Sequence, residues 1–123
     1  MLKKGLFAAL AAGLMALPML AHESRAAADS QAVTVTGEVV DLACYLDHGA
    51  QGSKHAQCAK TCITSGLPVG LKGQDGKTYL LIGEHKPVNS ELAPYTGQTV
   101  TLRGKSVSRD GLNLLENVEV VKS

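Results

Sequence analysis

The chain has 123 residues, 45% hydrophobic but only 3% aromatic, and its 12 Lys+Arg against 11 Asp+Glu leave a formal net charge of +1. That balance provides no basic surface for nucleic acid or for an anionic membrane. The length suits one small domain.

In chain order, Lys3 and Lys4 precede an uncharged run from Leu6 to Leu20, and Ala26-Ala27-Ala28 suits a signal peptidase. This reads as a signal peptide over residues 1–28, with cleavage after Ala28 or Ala26. The apolar run holds fifteen residues, short of the roughly 20 that span a bilayer. No Cys near the cleavage point marks a lipoprotein. The expected mature protein, residues 29–123, is therefore periplasmic or secreted, with no stable membrane insertion.

Losing the leader removes Lys3, Lys4, Arg25 and Glu23, so 9 Lys+Arg then face 10 Asp+Glu, a net charge of −1. All three Met and the one Phe go with it, and all three Cys remain. A core of Val, Leu, Ile and Ala in so short a chain gains from a crosslink or a metal.

Val33 to Val39 alternates apolar and polar residues, the pattern of a half-buried strand, with a bend or bulge at Gly37. The strand is expected to run on through Asp41-Leu42-Ala43, placing Cys44 near its end, with a loop over residues 46–53. A short helix follows from Ser53 to Gly66. Ser53 is suited to cap it, Gly66 to take the left-handed terminal position, and Pro68 to prevent continuation.

Leu67 to Leu71 is the second strand, and Gln74-Asp75-Gly76-Lys77 carries a hairpin signal. Thr78 to Ile82 returns as a third strand, apolar and central. Residues 84–96 form a connection with one helical turn around Ser90–Ala93. Gln98 to Val107, bent at Gly104, turns through Ser108-Arg109-Asp110-Gly111 into a last strand, Leu112 to Val121. The fold expected is mainly β, a small five-stranded OB-like barrel with one short Cys-bearing helix after the first strand. An open five-stranded sheet with one helix on it is the competing architecture.

The chemistry concentrates in H-A-Q-C-A-K-T-C, residues 55–62, with Cys44 fourteen positions before Cys58. On a helix, His55, Cys58 and Cys62 share one stripe, because residues three and four apart are neighbours. With Cys44 they make the inventory of a Cys3His site for Zn(II) or Cu(I), and His48 on the predicted loop is a substitute ligand. Such a protein acts as a metal buffer, carrier or sensor rather than an enzyme.

A second reading is a disulfide-stapled module of the cell envelope that binds a protein partner, since export favours oxidation. Cys58–Cys62 is a poor pair, because Cβ atoms about 5–6 Å apart on a helix must approach to roughly 3.8 Å. Cys44 with Cys58 or Cys62 is the better staple, and leaves one thiol over. A third reading is thiol–disulfide redox chemistry at Cys58 or Cys62, helped by Lys54 and His55. Asp41, beside Cys44, reads as a turn-forming surface acid or as a carboxylate that orients a histidine. His85 falls in a loop, and Tyr45 reads as a packing residue. No Walker A, dinucleotide or Ser-His-Asp pattern is present.

The runs G-E-V-V-D-L-A-C (37–44), H-x-x-C-x-x-x-C (55–62), Gly66 and Y-T-G-Q-T-V-T-L-R-G (95–104) resemble a group of small exported bacterial proteins. Those share a strand ending in Cys, a Cys-rich helix with His, a glycine and a final β-hairpin. The resemblance spans nearly all of the mature chain and implies an OB-like domain and export. Position by position it points to Cys44, His55, Cys58 and Cys62.

Overall fold

A computed structural model describes residues 32–123 and, ahead of them, Gly13 alone; the expected signal peptide and its cleavage points otherwise lie outside the described residues. Alternation in the first segment gives β1, Ala32–Asp41, whose inward side chains Val35 and Val39 are buried. β2 is Val69–Gly73, β3 Thr78–Leu81, β4 Thr99–Arg109 and β5 Leu112–Lys122. They close a barrel in the order β1-β2-β3-β5-β4, with β4 returning to β1. Every pairing is antiparallel except the short parallel β3–β5 contact. The barrel is therefore closed, as the sequence suggested, and the open sheet is ruled out.

Before β2 lie α1, Leu42–His48, a 3-10 turn, Ser53–His55, and α2, Ala56–Thr64. The Cys-bearing helix after the first strand is present as α2, but the strand does not carry Cys44. The chain leaves the sheet at Asp41, whose Oδ1 accepts the backbone N–H of Ala43 at 3.0 Å and of Cys44 at 3.4 Å. That cap starts a helix where extended chain and then loop were expected. Gly49, at φ 71°, ends it, with its N–H bonded to the Tyr45 carbonyl at 2.9 Å.

Ser53 caps nothing through its side chain. Gly66 does take the left-handed position, at φ 109°, and the Leu67 N–H closes onto the Cys62 carbonyl at 3.1 Å. That geometry and Pro68 delay β2 until Val69. The third strand is not buried throughout: Tyr79 and Leu81 point inward, while Leu80 is exposed. Between β3 and β4, α3, Asn89–Leu92, continues into a 3-10 turn, Ala93–Tyr95.

The core joins the barrel interior (Leu71, Leu81, Val100, Leu102, Leu115) to Ile63 of α2 and Leu92 of α3. α2 is tied at both ends. Thr96 Oγ1 donates to the Ala56 carbonyl at 3.0 Å, and Asn89 Nδ2 donates to the carbonyls of Ile63 and Leu67 at 2.8 and 2.7 Å. Among the described residues, no helix is long and apolar enough to cross a membrane.

Gly37 has no room for a side chain, since an added Cβ would overlap the Lys72 carbonyl oxygen and lie 2.8 Å from its carbon. Gly37→Ala is expected to cost about 1–3 kcal/mol through overpacking, measured by urea unfolding. An unchanged midpoint would mean that β1 and β2 separate freely there.

Tyr79 donates its hydroxyl to Asp75 Oδ2 at 2.6 Å, and burial, followed by that bond and the Asp75 charge, pushes its pKa up to about 12. The fold favours the neutral phenol. This contribution is fully present below the unfolded pKa of about 10 and is lost as pH rises through about 12. Absorbance titration of the three tyrosines should show one ionising late, and Tyr79→Phe should remove that late step.

Candidate metal centre

The end of β1 and the two helices that follow bring the chemistry together. Asp41 is the last residue of β1, paired in register with Val69 and only 2% exposed. A carboxylate oxygen of Asp41 and the Sγ atoms of Cys44 and Cys62 lie within 4.8 Å of one another. Cys44 comes from the first turn of α1 and Cys62 from the last turn of α2, and both are half-buried. A tetrahedral ion with Zn–S bonds of about 2.3 Å sets its ligand atoms about 3.8 Å apart. The triad is thus within about 1 Å of a closed ligand set.

Asp41 is the one described residue with a buried side-chain oxygen lacking a hydrogen-bond partner. Its Oδ1 holds the start of α1, whereas its Oδ2 receives no hydrogen bond from any N–H or O–H, and neither thiol closes a well-formed one onto it. Among the described residues, no Lys, Arg or His forms an ion pair with it. Leaving a buried carboxylate oxygen in this state is costly. A cation held by the carboxylate would remove the cost, and the two sulfurs close to that carboxylate are the donors a thiophilic ion takes.

The thiols register the same field. The Cys44 pKa is pushed up to about 11, first by hydrogen bonding toward Asp41, then by burial and by the charges of Asp41, Cys62 and Cys58. The Cys62 pKa is raised chiefly by burial, with Asp41 next and Cys58 after it. Without a cation both sulfurs hold their protons; a bound metal ion inverts that preference.

Beside the triad lies a cavity of about 30 Å³ whose walls include Glu38, Asp41, Cys44, His48, His55 and Cys58. That volume admits one water or an ion and is far below the roughly 300 Å³ of a small-molecule pocket. Of the ligands expected from sequence, Cys44 and Cys62 enter the triad. His55 and Cys58 are exposed residues of the cavity wall, outside the 4.8 Å cluster. The shared stripe is broken at its start because His55 belongs to the 3-10 turn, not to α2.

His48, the substitute, ends α1 on the same wall, with Nδ1 3.1 Å from Asp47 Oδ2. Asp47, not Asp41, is therefore the acid that orients a histidine. Asp41 is not the surface acid that its turn-like setting suggests: its pairing with Val69 carries it into the interior, and its place among the donors is not part of the sequence reading. The signal available was its position three residues before Cys44, where an N-capping side chain is brought back over the helix start.

The loop under the cavity is also fixed. The Gly52 N–H donates to Glu38 Oε1, and Lys72 Nζ donates to Gln51 Oε1 while lying 6.0 Å from the Tyr45 ring centroid. Gly97 approaches Ala56 so closely that an added Cβ would lie 2.9 Å from the Ala56 Cβ. No protein-family model, curated protein or solved structure matches this chain.

Only the thiolate is a nucleophile. In the reduced, metal-free protein, half-buried Cys44, its thiol pKa pushed up to about 11, should therefore react with iodoacetamide more slowly than the exposed Cys58. Peptide mapping reads the order, and equal rates would contradict the field described around Cys44.

Proposed function

We propose that this is a small exported metal-binding protein that takes Zn(II) or Cu(I) at the junction of β1, α1 and α2. It serves as a buffer, carrier or sensor rather than as an enzyme. The observation that carries the reading is buried Asp41, whose Oδ2 lacks a hydrogen-bond partner and one of whose carboxylate oxygens lies within 4.8 Å of the Sγ atoms of Cys44 and Cys62. The ion-sized cavity supports it by offering further donors from Cys58 and His55. Export rests on the basic, apolar leader with its Ala-rich end and on the resemblance to small exported proteins. The location implied is the periplasm or the medium.

A second reading has its own observation. The sulfurs of Cys44 and Cys62 are close enough across two helices for modest movement to join them. A Cys44–Cys62 bridge would close a loop of 17 intervening residues and add about 3 kcal/mol. The protein would then be a stapled binding module for an envelope protein, with Cys58 as its leftover thiol.

Native mass spectrometry of the mature protein, exported by a bacterial host without added reductant, separates the two. The metal reading expects a copper or zinc increment with three reduced thiols, and at least about a 100-fold loss of affinity in Cys62→Ser but not in His85→Ala. A metal-free species two hydrogens lighter, with one alkylatable thiol at Cys58, would overturn it in favour of the staple.

A further inference from the structure

Sequence placed Asp41 beside the chemistry; the structure places it within the chemistry. Resting on the metal reading above, we infer that Asp41 is itself a ligand, and that its carboxylate biases the site toward a divalent ion of the Zn(II) class over Cu(I). The side chain is held before any ion arrives. Its backbone is fixed by the β1–β2 pairing at Val69, and its Oδ1 by the N–H groups of Ala43 and Cys44. That leaves Oδ2 buried and without a partner, in a carboxylate with an oxygen within 4.8 Å of both sulfurs. A ligand that needs no reordering on binding loses little entropy when it binds.

Charge decides which ion benefits. With both sulfurs as thiolates and Asp41 as carboxylate, three negative charges surround the ion. Zn(II) reduces the total to −1, whereas Cu(I) leaves −2 in a partly desolvated site, a costlier state. Ligand softness acts in the same direction, since carboxylate oxygen is an ordinary Zn(II) donor and Cu(I) is selected by sulfur. Neutral His55 on the cavity wall could complete the zinc set without further charge. For Cu(I) the carboxylate is a burden, and the thiols alone supply what that ion uses.

The alternative is that Asp41 only caps α1. Asp41→Asn separates the two roles, because Asn caps as well as Asp while an amide NH₂ in place of Oδ2 cannot bind a cation. The measurement is competition titration of the reduced, mature wild-type and variant proteins. A zinc chelator serves one arm and a Cu(I) chelator the other, and thermal unfolding of each metal-free protein reports folding.

The expected result is a folded variant whose zinc affinity falls about 100-fold or more, with Cu(I) affinity changed less than about threefold. Unchanged zinc affinity would overturn the inference and leave the metal reading standing. Equal losses for both ions in a folded variant would overturn it too, reducing Asp41 to a positioning residue. Wild-type protein that binds neither ion would overturn the metal reading and this inference with it. Asp41→Ser, which also caps but cannot reach the ion, replaces the Asn variant if that one does not fold, and is judged by the same outcomes. Co(II) substitution adds a second readout, since loss of an oxygen ligand shifts the visible bands while the sulfur charge-transfer intensity persists.

Discussion

The two oxygens of Asp41 do different work, and the rest of the candidate centre depends on that division. Oδ1 is consumed in starting α1, which sets the position of Cys44. Oδ2 has no partner although the residue is almost wholly buried. A carboxylate needed only as a cap tends to sit at the surface, where water satisfies the second oxygen. Here the β1–β2 register places the cap in the interior, so the second oxygen is cut off from bulk water and has no well-formed hydrogen bond in its place. The thiols of Cys44 and Cys62 lie close to this carboxylate, and thiols are poor donors but good ligands once deprotonated.

The barrel makes that placement rigid. Closure by the β1–β4 and β3–β5 pairings removes the sheet edges and fixes where β1 ends. α2 then lies over the end of the barrel because Ile63 is a core residue, and because Thr96 and Asn89 hold its two ends from the β3–β4 connection. Cys62, one residue from Ile63, is thereby fixed opposite Asp41. His55 and Cys58, a turn or more earlier and on the exposed side, form the wall of a small cavity instead. In this geometry the three groups of the cluster, Asp41, Cys44 and Cys62, are placed by packing, and His55 and Cys58 stand at the surface beside them.

Much of this was legible in the chain. Alternation at Val33–Val39 and Gln98–Val107 marks β1 and β4, Asp75-Gly76 marks the turn from β2 to β3, and Asp110-Gly111 the turn from β4 to β5, where both residues adopt positive φ, at 51° and 80°. The α2 terminus was readable from Gly66 and Pro68, because both act through local backbone geometry. α1 was not read, since V-V-D-L-A-C continues an apolar pattern compatible with strand; its start depends on an Asp side chain whose partners lie two and three residues ahead. The role of Asp41 was not readable at all. It follows from burial by β2 and from the approach of Cys62, twenty-one residues later, and neither is encoded in local spacing.

On the proposed reading, the same field makes the centre selective in time as well as in ion. Asp41 and burial hold the Cys44 and Cys62 protons in place when no cation is present. Half-buried protonated thiols resist oxidants and alkylating agents better than thiolates do. A bound cation would oppose that field: Asp41, Cys44 and Cys62 would hold it as carboxylate and thiolates, with the thiol protons released to solvent. One buried acid would thus protect the thiols before metal arrives and help hold the ion afterwards. A hydrophobic residue at position 41 could do neither, and a lysine would favour thiolates in the empty site while repelling the cation.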